Sequence, residues 1–454
     1  MLDIKFIKNN KENIKKLLAA GRGNPEKVDI DNLLELDDKR VELIQAIETL
    51  NKQRNKAAEM GKQGKIEEAR ERGIQIKEEL KSKEEEFKDV LQKWEQIMSW
   101  VPNMPLKPED MPEGKDEGDN IILKVWVPGK GYIKELEGKK ARGISEEYMP
   151  DYPFHAKKKD FEPQHHLDIG SKLGIIDNEQ SALTSGSRFT YILKKGAMLQ
   201  YAIQQLLFKE LIKIGFIYII PPLLVREKVL FGSSHFPEGY EQVYKIENFN
   251  VEDKNDLYLV GSTEPSNFAY YMDKIVEESE LPIRLFAYAP AFRSEAGSWG
   301  MDTKGIKRVH QFDKIEMNVL CTPDESDNIF NELLGINEWL LQKLKLPYQL
   351  ALKCTGDAGY LATAKQVDPE VWIPAQKEFM EVMTDTNTTN FQARRLNIKY
   401  NKKDGGKEYV HTVNDTGGAM GRLLISIIAH YQQKDGSIVV PKALRPYLNF
   451  EKII

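Results

Sequence analysis

Between residues 29 and 99 the apolar side chains return at alternating steps of three and four. The series runs Leu36, Leu43, Ile47, Leu50 and Ala57, then Ile66, Ala69, Gly73, Ile76, Leu80, Phe87, Leu91, Trp94 and Met98. Only a helix keeps such a stripe on one side, and the alternation is the seam of a coiled coil. The stripe is interrupted where Gly61 and Gly64 stand close together, which marks a turn. The simplest object is an antiparallel two-helix hairpin, each helix of about 30 residues and so about 45 Å long. So long a seam has little but its partner helix to pack against, and the hairpin is expected to project into solvent.

By itself this segment is as consistent with a dimerisation coiled coil as with a binding arm. Its charge is segregated. From Lys39 to Lys65 seven bases face three acids, a net +4, whereas from Glu67 to Asp89 nine acids face six bases, a net −3. A basic helix backed by an acidic one can follow a phosphate backbone while the hairpin stays near neutral, and the candidate contacts are Lys39, Arg40, Lys52, Arg54 and Lys56. The whole-chain net charge of −5 over 454 residues points away from a generic basic nucleic-acid binder, but that average hides the segregation.

Two cysteines, Cys321 and Cys354, cannot build a disulfide scaffold or a cysteine-rich zinc site, and read as reduced buried thiols. The chain start is charged within its first residues and lacks an apolar core of a secretory signal. The most apolar stretch, Phe216 to Val225, is interrupted by Pro221 and Pro222 and is too short to span a bilayer. A cytoplasmic location without membrane attachment is the expectation.

Prolines at 102, 105, 108, 112, 128, 150, 153 and 163 forbid long helices after the hairpin, although Ile121–Val127 reads as a strand. Residues 1–103 are therefore assigned to a helical arm, 104–165 to a proline-rich connector and 166–454 to a catalytic domain. In this last part Ala197 to Ile214 is an amphipathic helix. Ile217–Ile220, Leu257–Val260, Arg284–Ala291, Val309–Val319 and Tyr348–Leu352 are strand candidates. Strands that follow one another directly favour an antiparallel sheet flanked by helices, an α+β class, over a βαβ repeat.

The chain has no P-loop, no dinucleotide-binding glycine fingerprint after a strand, no H-E-x-x-H, and no histidines at metal spacing. Its informative runs lie elsewhere. Residues 292–317 read as strand, glycine-rich loop, strand. Arg293 and Glu295 share one face of the first strand, and Arg308, His310, Phe312, Lys314 and Glu316 share one parity on the second. Cations, an aromatic ring and a carboxylate on one face suit a nucleotide: Arg293 to fork onto a phosphate, Phe312 to stack, Glu295 to accept from an exocyclic amine. A salt-bridged exposed hairpin is the plainer alternative. Residues 411–422 lead through Gly417, Gly418 and Gly421 into the apolar helix beginning at Leu423, with Arg422 at the helix entrance. A cation there opposes the helix dipole, so an anionic or aromatic neighbour is expected.

These runs resemble the class II aminoacyl-tRNA synthetases, specifically the seryl-tRNA synthetase family. Gly215-Phe216 through Pro221-Pro222 is similar to motif 1, Phe292 through Glu316 to motif 2, and Gly418 through Arg422 to motif 3. The seryl assignment rests on Ser185-Gly186-Ser187-Arg188-Phe189, His310-Gln311-Phe312-Asp313-Lys314, Phe391-Gln392-Ala393-Arg394-Arg395 and the stretch Asp435-Gly436 to Tyr447. The hairpin is similar to that family's tRNA-binding arm, so the likeness covers nearly the whole chain.

The resemblance implies ATP-dependent activation of L-serine to seryl-adenylate and its transfer to tRNA(Ser), with tRNA(Sec) open as a second acceptor, by a homodimer. It implies that Arg293, Glu316 and Arg422 are catalytic. Ser262, Thr263, Glu264, Arg293, Glu316, Asn414 and Thr416 would bind serine. Arg293, Ser294, Glu295, Arg308, Val309, Phe312, Glu381, Val382, Met383, Thr384 and Arg422 would bind ATP, with Mg²⁺ held at Glu381 and Thr384. The chain departs from the family pattern in Ser262-Thr263-Glu264-Pro265, in Met383-Thr384-Asp385-Thr386-Asn387, in Ala429-His430, and in a longer connector between Trp126 and His165 that carries Lys157-Lys158-Lys159. Two alternatives stay open: a synthetase-like ligase that loads an amino acid onto a carrier protein, and a catalytically silent RNA-binding paralogue. Relatives of the first kind lack the long hairpin. The second should have lost charged site residues, whereas Arg293, Glu295, Glu316, Glu381 and Arg422 are present.

Overall fold

The computed structural model describes residues 1–141, 161–247, 256–296 and 305–454. Its internal contacts divide it into two units, Met1–Pro102 and Asn103–Ile454.

In the first unit two short helices, Ile4–Asn9 and Lys11–Ala19, precede the long helices α1 (Ile30–Lys62) and α2 (Ile66–Trp100). Asp29 caps α1 by accepting from the Asn32 amide at 3.0 Å. The helices span about 50 Å, a little longer than the apolar stripe alone suggests. Gly64 makes the reversal with φ +92°, which a side chain would oppose, while Gly61 stays helical. Ala57, Ile76 and Leu80 form the distal seam with Ile47 and Leu50 packed against them. Ile66 is 69% exposed, so the seam starts one turn beyond the turn.

The second unit is built on a ten-stranded sheet. In chain order its strands are β1 (Ile121–Val127), β2 (Gly131–Tyr132), β3 (Ile217–Tyr218), β4 (Ile283–Phe292), β5 (Gln311–Cys321), β6 (Tyr348–Leu352), β7 (Lys365–Ile373), β8 (Glu378–Glu381), β9 (Asp385–Asn387) and β10 (His411–Ala419). The spatial order is β2-β1-β6-β7-β9-β10-β5-β4-β3, with β8 also on β7. Every pairing is antiparallel except that of β3 with β4. Thus Ile121–Val127, which falls in the proline-rich stretch, is a strand of this sheet, paired with Tyr348–Leu352.

Helices α3 (Lys194–Lys213), α5 (Ser326–Lys343) and α7 (Met420–Tyr431) cover one face; the short α4 (Glu264–Ala269) and α6 (Phe391–Leu396) help frame the other. Leu199, Ile203 and Leu207 of α3, Leu333, Leu340 and Leu341 of α5, and Leu424, Ile427 and Ile428 of α7 share one core with Ile315, Met317 and Val319 of β5 and Val413 of β10. Strand alternation turns Lys314, Glu316, Asn414 and Thr416 to the opposite face. The register between β5 and β10 slips once, at Ile315/Glu316, where Gly417 is the extra residue. A Cβ at Gly417 would lie 3.2 Å from Leu207 and 3.3 Å from Ile315, so a side chain at the bulge would require those two to give way by a few tenths of an ångström. Cys321 and Cys354 are free and buried, and among the described residues no helix is long and apolar enough to cross a membrane.

Candidate active site

A cavity of about 270 Å³ opens on the sheet face away from the helical core. Phe312, Lys314 and Glu316 enter it from β5, Asn414 and Thr416 from β10, and Glu381 from the end of β8. Thr384 comes from the link to β9, Arg422 from the first turn of α7, Ser262 and Glu264 from the start of α4, and Arg293 from just beyond β4.

One end is a buried cluster of charge. Lys314 Nζ lies 2.6 Å from Glu316 Oε2 and donates to Ser262 Oγ at 3.3 Å. Glu316 is 1% exposed; burial raises its carboxyl above the ordinary range, with Lys314 opposing. Glu264 accepts from Gln392 Nε2 at 2.6 Å and Asn414 Nδ2 at 3.3 Å. Burial, then the neighbouring Glu316, push Glu264 up to about 7. His235 forms part of the wall beside Ser233. Burial, then Arg293 and Lys314, lower its imidazole to about 3, so it is neutral.

The other end couples cations to an aromatic face and a carboxylate. The Arg293 guanidinium carbon lies 5.5 Å from the Phe312 ring centroid, and Nε donates to the Gly261 carbonyl at 3.3 Å. Arg422 Nη1 donates to Glu381 Oε1 at 2.9 Å and to the Glu381 carbonyl at 3.0 Å; Thr384 Oγ1 donates to Glu381 Oε1 at 3.3 Å. Glu381 is the anion expected beside a cation at a helix entrance. Burial acts to raise its carboxyl, but Arg422, Lys353 and Arg293 hold it below the ordinary range.

Arg308, Val309, Glu295 and Val382 also line the cavity, Arg308 and Glu295 not by the strand geometry expected of them. The paired strands end at Phe292 and Gln311, so Arg293, Glu295, Arg308 and His310 leave the strand parity. The chain is held there by the Arg293 amide on the His310 carbonyl at 3.0 Å, the His310 amide on Arg188 at 2.9 Å and a left-handed Glu295 (φ 51°). Three expected residues are off the wall. Ser294 anchors its loop to the Glu241 and Gln242 carbonyls, Thr263 is buried with Oγ1 unpartnered among the described residues, and Met383 lies in the hydrophobic core. Residues 297–304 of the glycine-rich loop and Lys157-Lys158-Lys159 lie outside the described residues. The resemblance gives no site role to Lys314, His235 or Gln392, although Lys314 lies on the strand face that suits a nucleotide. The parity of Lys314 with Glu316 was a usable signal; nothing local marks the other two.

In the first unit Lys52, Arg54 and Lys56 are exposed. Arg40 is paired with Asp37 at 2.7 Å and stands 4.9 Å over Trp94, and Lys39 reaches Glu86 at 2.9 Å.

Residues 1–105 match the model of the seryl-tRNA synthetase N-terminal domain, and residues 244–431 that of the tRNA synthetase class II core domain (G, H, P, S and T). The serine–tRNA ligase of Dictyoglomus turgidum is 35% identical over 460 residues, covering 100% of this chain and 99% of the relative. The crystal structure of seryl-tRNA synthetase from Pyrococcus horikoshii complexed with ATP superposes with a TM-score of 0.86 at 35% identity, covering 100% of this chain and 99% of that one. The cytoplasmic serine–tRNA ligase of Naegleria fowleri in complex with AMP gives 0.78 at 26% identity, over 100% and 98%. With relatives of this identity aligned from end to end, and a class II cavity at the centre of the antiparallel sheet, the chain belongs to the seryl-tRNA synthetase family.

Proposed function

We propose that this chain activates L-serine with ATP and transfers it to tRNA(Ser). The observation that carries the reading is one cavity with two unlike ends. Arg293–Phe312 and Arg422–Glu381 suit a nucleotide triphosphate, and Glu264–Lys314–Glu316 suits a small zwitterion. A serine carboxylate oxygen bonds to the α-phosphorus as the bond to the β-phosphate bridge breaks, releasing pyrophosphate. A hydroxyl oxygen of the terminal tRNA ribose then bonds to the seryl carbonyl carbon as that carbon's bond to the phosphate oxygen breaks, and AMP leaves with the hydroxyl proton released. Such steps are governed by positioning and charge neutralisation.

On this reading Arg293 neutralises the α-phosphate and the serine carboxylate, and Glu295 accepts from the adenine amine. Phe312 and Arg422 bracket the base, with Arg308, Val309 and Val382 as neighbouring wall. Glu316, with Glu264, takes the ammonium and hydroxyl, and Ser262, Asn414 and Thr416 bound the pocket. Polar groups left unpaired by alanine would reject it. Glu381 and Thr384 are oxygen donors in contact at 3.3 Å at the nucleotide end, a set that suits a hard cation. When bound there, Mg²⁺ would neutralise phosphate charge.

We assign residues 1–103 to tRNA binding through Lys52, Arg54 and Lys56, residues 166–454 to catalysis, and residues 104–165 to a connector that adds β1 and β2 to the catalytic sheet. A homodimer is supported by apolar side chains left exposed along α3 and the edge strand β3: Tyr201, Ile212, Ile217, Tyr218 and Ile220. We place the protein in the cytoplasm, where ATP, serine and tRNA are all present.

ATP–pyrophosphate exchange with each amino acid tests the reading. Exchange with serine, followed by charging of tRNA(Ser), is expected, and no exchange with serine overturns it. Exchange without tRNA charging favours the carrier-protein reading, and a tRNA(Sec) arm of the same assay decides that acceptor. Deleting residues 40–90 should abolish charging and leave exchange intact; loss of both in a folded protein refutes the division of labour.

A further inference from the structure

Gln392 stands in α6 and is 1% exposed. Its side-chain amide is saturated. Nε2 donates to Glu264 Oε1 at 2.6 Å and to the Ser233 carbonyl at 2.9 Å, while Oε1 accepts from Thr388 Oγ1 at 3.1 Å and Thr412 Oγ1 at 2.9 Å. The orientation of the amide is forced, because the carboxylate and the carbonyl accept and only the hydroxyls on the other side can donate. Asn414 Nδ2 reaches the same Glu264 oxygen at 3.3 Å. Both amides therefore fall on Oε1, and Oε2 makes no hydrogen bond among the described residues although Glu264 lines the cavity.

We propose that Gln392 is the positioning residue of the amino acid site: it locks the Glu264 carboxylate in one rotamer, turned so that Oε2 receives the substrate ammonium. The proposal deepens the serine-activation reading and rests on it. The groups facing Glu264 are Glu316 and Lys314 from β5, Arg293 from beyond β4, Asn414 from β10, Gln392 from α6 and Tyr360 from the link between β6 and β7. Burial and Glu316 favour the neutral acid; Gln392, Lys314 and Arg293 favour the carboxylate. With Glu264 poised near 7, loss of the Gln392 donor leaves it protonated at neutral pH and unable to pair with an ammonium.

The test is ATP–pyrophosphate exchange by the full chain at saturating ATP, over serine concentration and pH. In the unsubstituted protein KM for serine should fall as pH rises through the Glu264 titration. Gln392→Met removes the donor at similar volume. Its KM for serine should rise roughly ten- to hundredfold, as for loss of a hydrogen bond to a charged group, with the pH midpoint displaced upward. Its kcat and KM for ATP should stay within about a factor of two. A folded Gln392→Met protein with unchanged serine KM and unchanged midpoint overturns the proposal. Should that variant not fold, Gln392→Glu keeps the shape. Two carboxyls across the same contact share one proton, so the pH dependence of serine KM is displaced from the parent's, and an unchanged pH dependence again overturns the role. No serine-dependent exchange in the unsubstituted protein is a different result, and overturns the assigned reaction.

Discussion

Arg422 Nη1 sits 2.9 Å from Glu381 Oε1 and 3.0 Å from the carbonyl of the same residue, bridging the entrance of α7 to the end of β8. The bridge resolves an oddity of the sequence, a cation at the positive end of a helix dipole. It also helps hold the half-exposed Glu381 carboxyl below its ordinary range. Arg422 therefore serves Glu381 as well as any nucleotide between them.

Glu381→Gln should keep the fold, since the amide still accepts from Arg422, but should lose the negative charge at the nucleotide end. ATP–pyrophosphate exchange should fall roughly a hundredfold and require more Mg²⁺ for half-saturation, as expected when a charge-stabilising oxygen is removed. Arg422→Lys, which keeps a donor for Glu381 but lacks the planar guanidinium that brackets the base, should lower kcat/KM for ATP roughly tenfold or more. Titration of exchange rate against Mg²⁺ and ATP measures both.

Glu264 gives a prediction about stability. Its carboxyl titrates at about 7 in the folded chain against 4.5 for an unperturbed glutamate. Between those values the folded state binds more protons than the unfolded one, so this group's contribution to stability falls as pH rises from about 4.5 to about 7 and is flat above. Glu264→Gln removes the penalty. At pH 8 the ligand-free variant should be more stable than the parent by up to roughly 3 kcal/mol, and indistinguishable near pH 4. It should also have lost serine activation, the trade between stability and a strained site. Thermal melts across pH, with exchange assays on the same samples, decide it.

What could be read from sequence was local in sequence. The seam of α1 and α2, the turn at Gly64, strand β6 and the entry of α7 are each written in one contiguous run, where period and breakers suffice. Lys314, Glu316, Asn414 and Thr416 follow strand parity onto one face for the same reason. Parity failed where pairing stopped: beyond Phe292 and before Gln311 the chain is steered by contacts to Arg188 and to Gln242, which no pattern in residues 292–317 announces. Ile121–Val127 looks like connector until its partner, Tyr348–Leu352, is known. Gln392 is the extreme case, a residue whose role is set by Ser233, Glu264 and Thr412, each distant along the chain.

The arm makes a prediction that separates binding from chemistry. Lys52, Arg54 and Lys56 are exposed on α1 and make no ion pair among the described residues, whereas Arg40 and Lys39 are already paired within the hairpin. Replacing the three by alanine should raise KM for tRNA(Ser) and leave serine-dependent exchange unchanged. If each touches a phosphate, the dependence of log affinity on log salt should flatten by roughly two to three units. Arg40→Ala should instead lower the melting temperature through loss of its packing on Trp94. An unchanged salt slope in the triple variant would place the tRNA contacts elsewhere on the arm.

Ile220, 80% exposed just beyond the edge strand β3, tests the homodimer. In an isolated chain Ile220→Glu costs little, because the side chain is already in water and a surface substitution is nearly neutral. In a dimer that buries this face the same glutamate would be desolvated without a partner, a cost large enough to weaken association roughly a hundredfold or more. Sedimentation at micromolar concentration should show the parent as a dimer and the variant shifted to monomer, with the circular dichroism of the two alike. If motif 1 supports the cavity from across that interface, exchange activity should fall with the monomer fraction and recover on concentrating the protein. A parent that sediments as a monomer, or a variant that stays dimeric, would remove β3 and the exposed face of α3 from the interface.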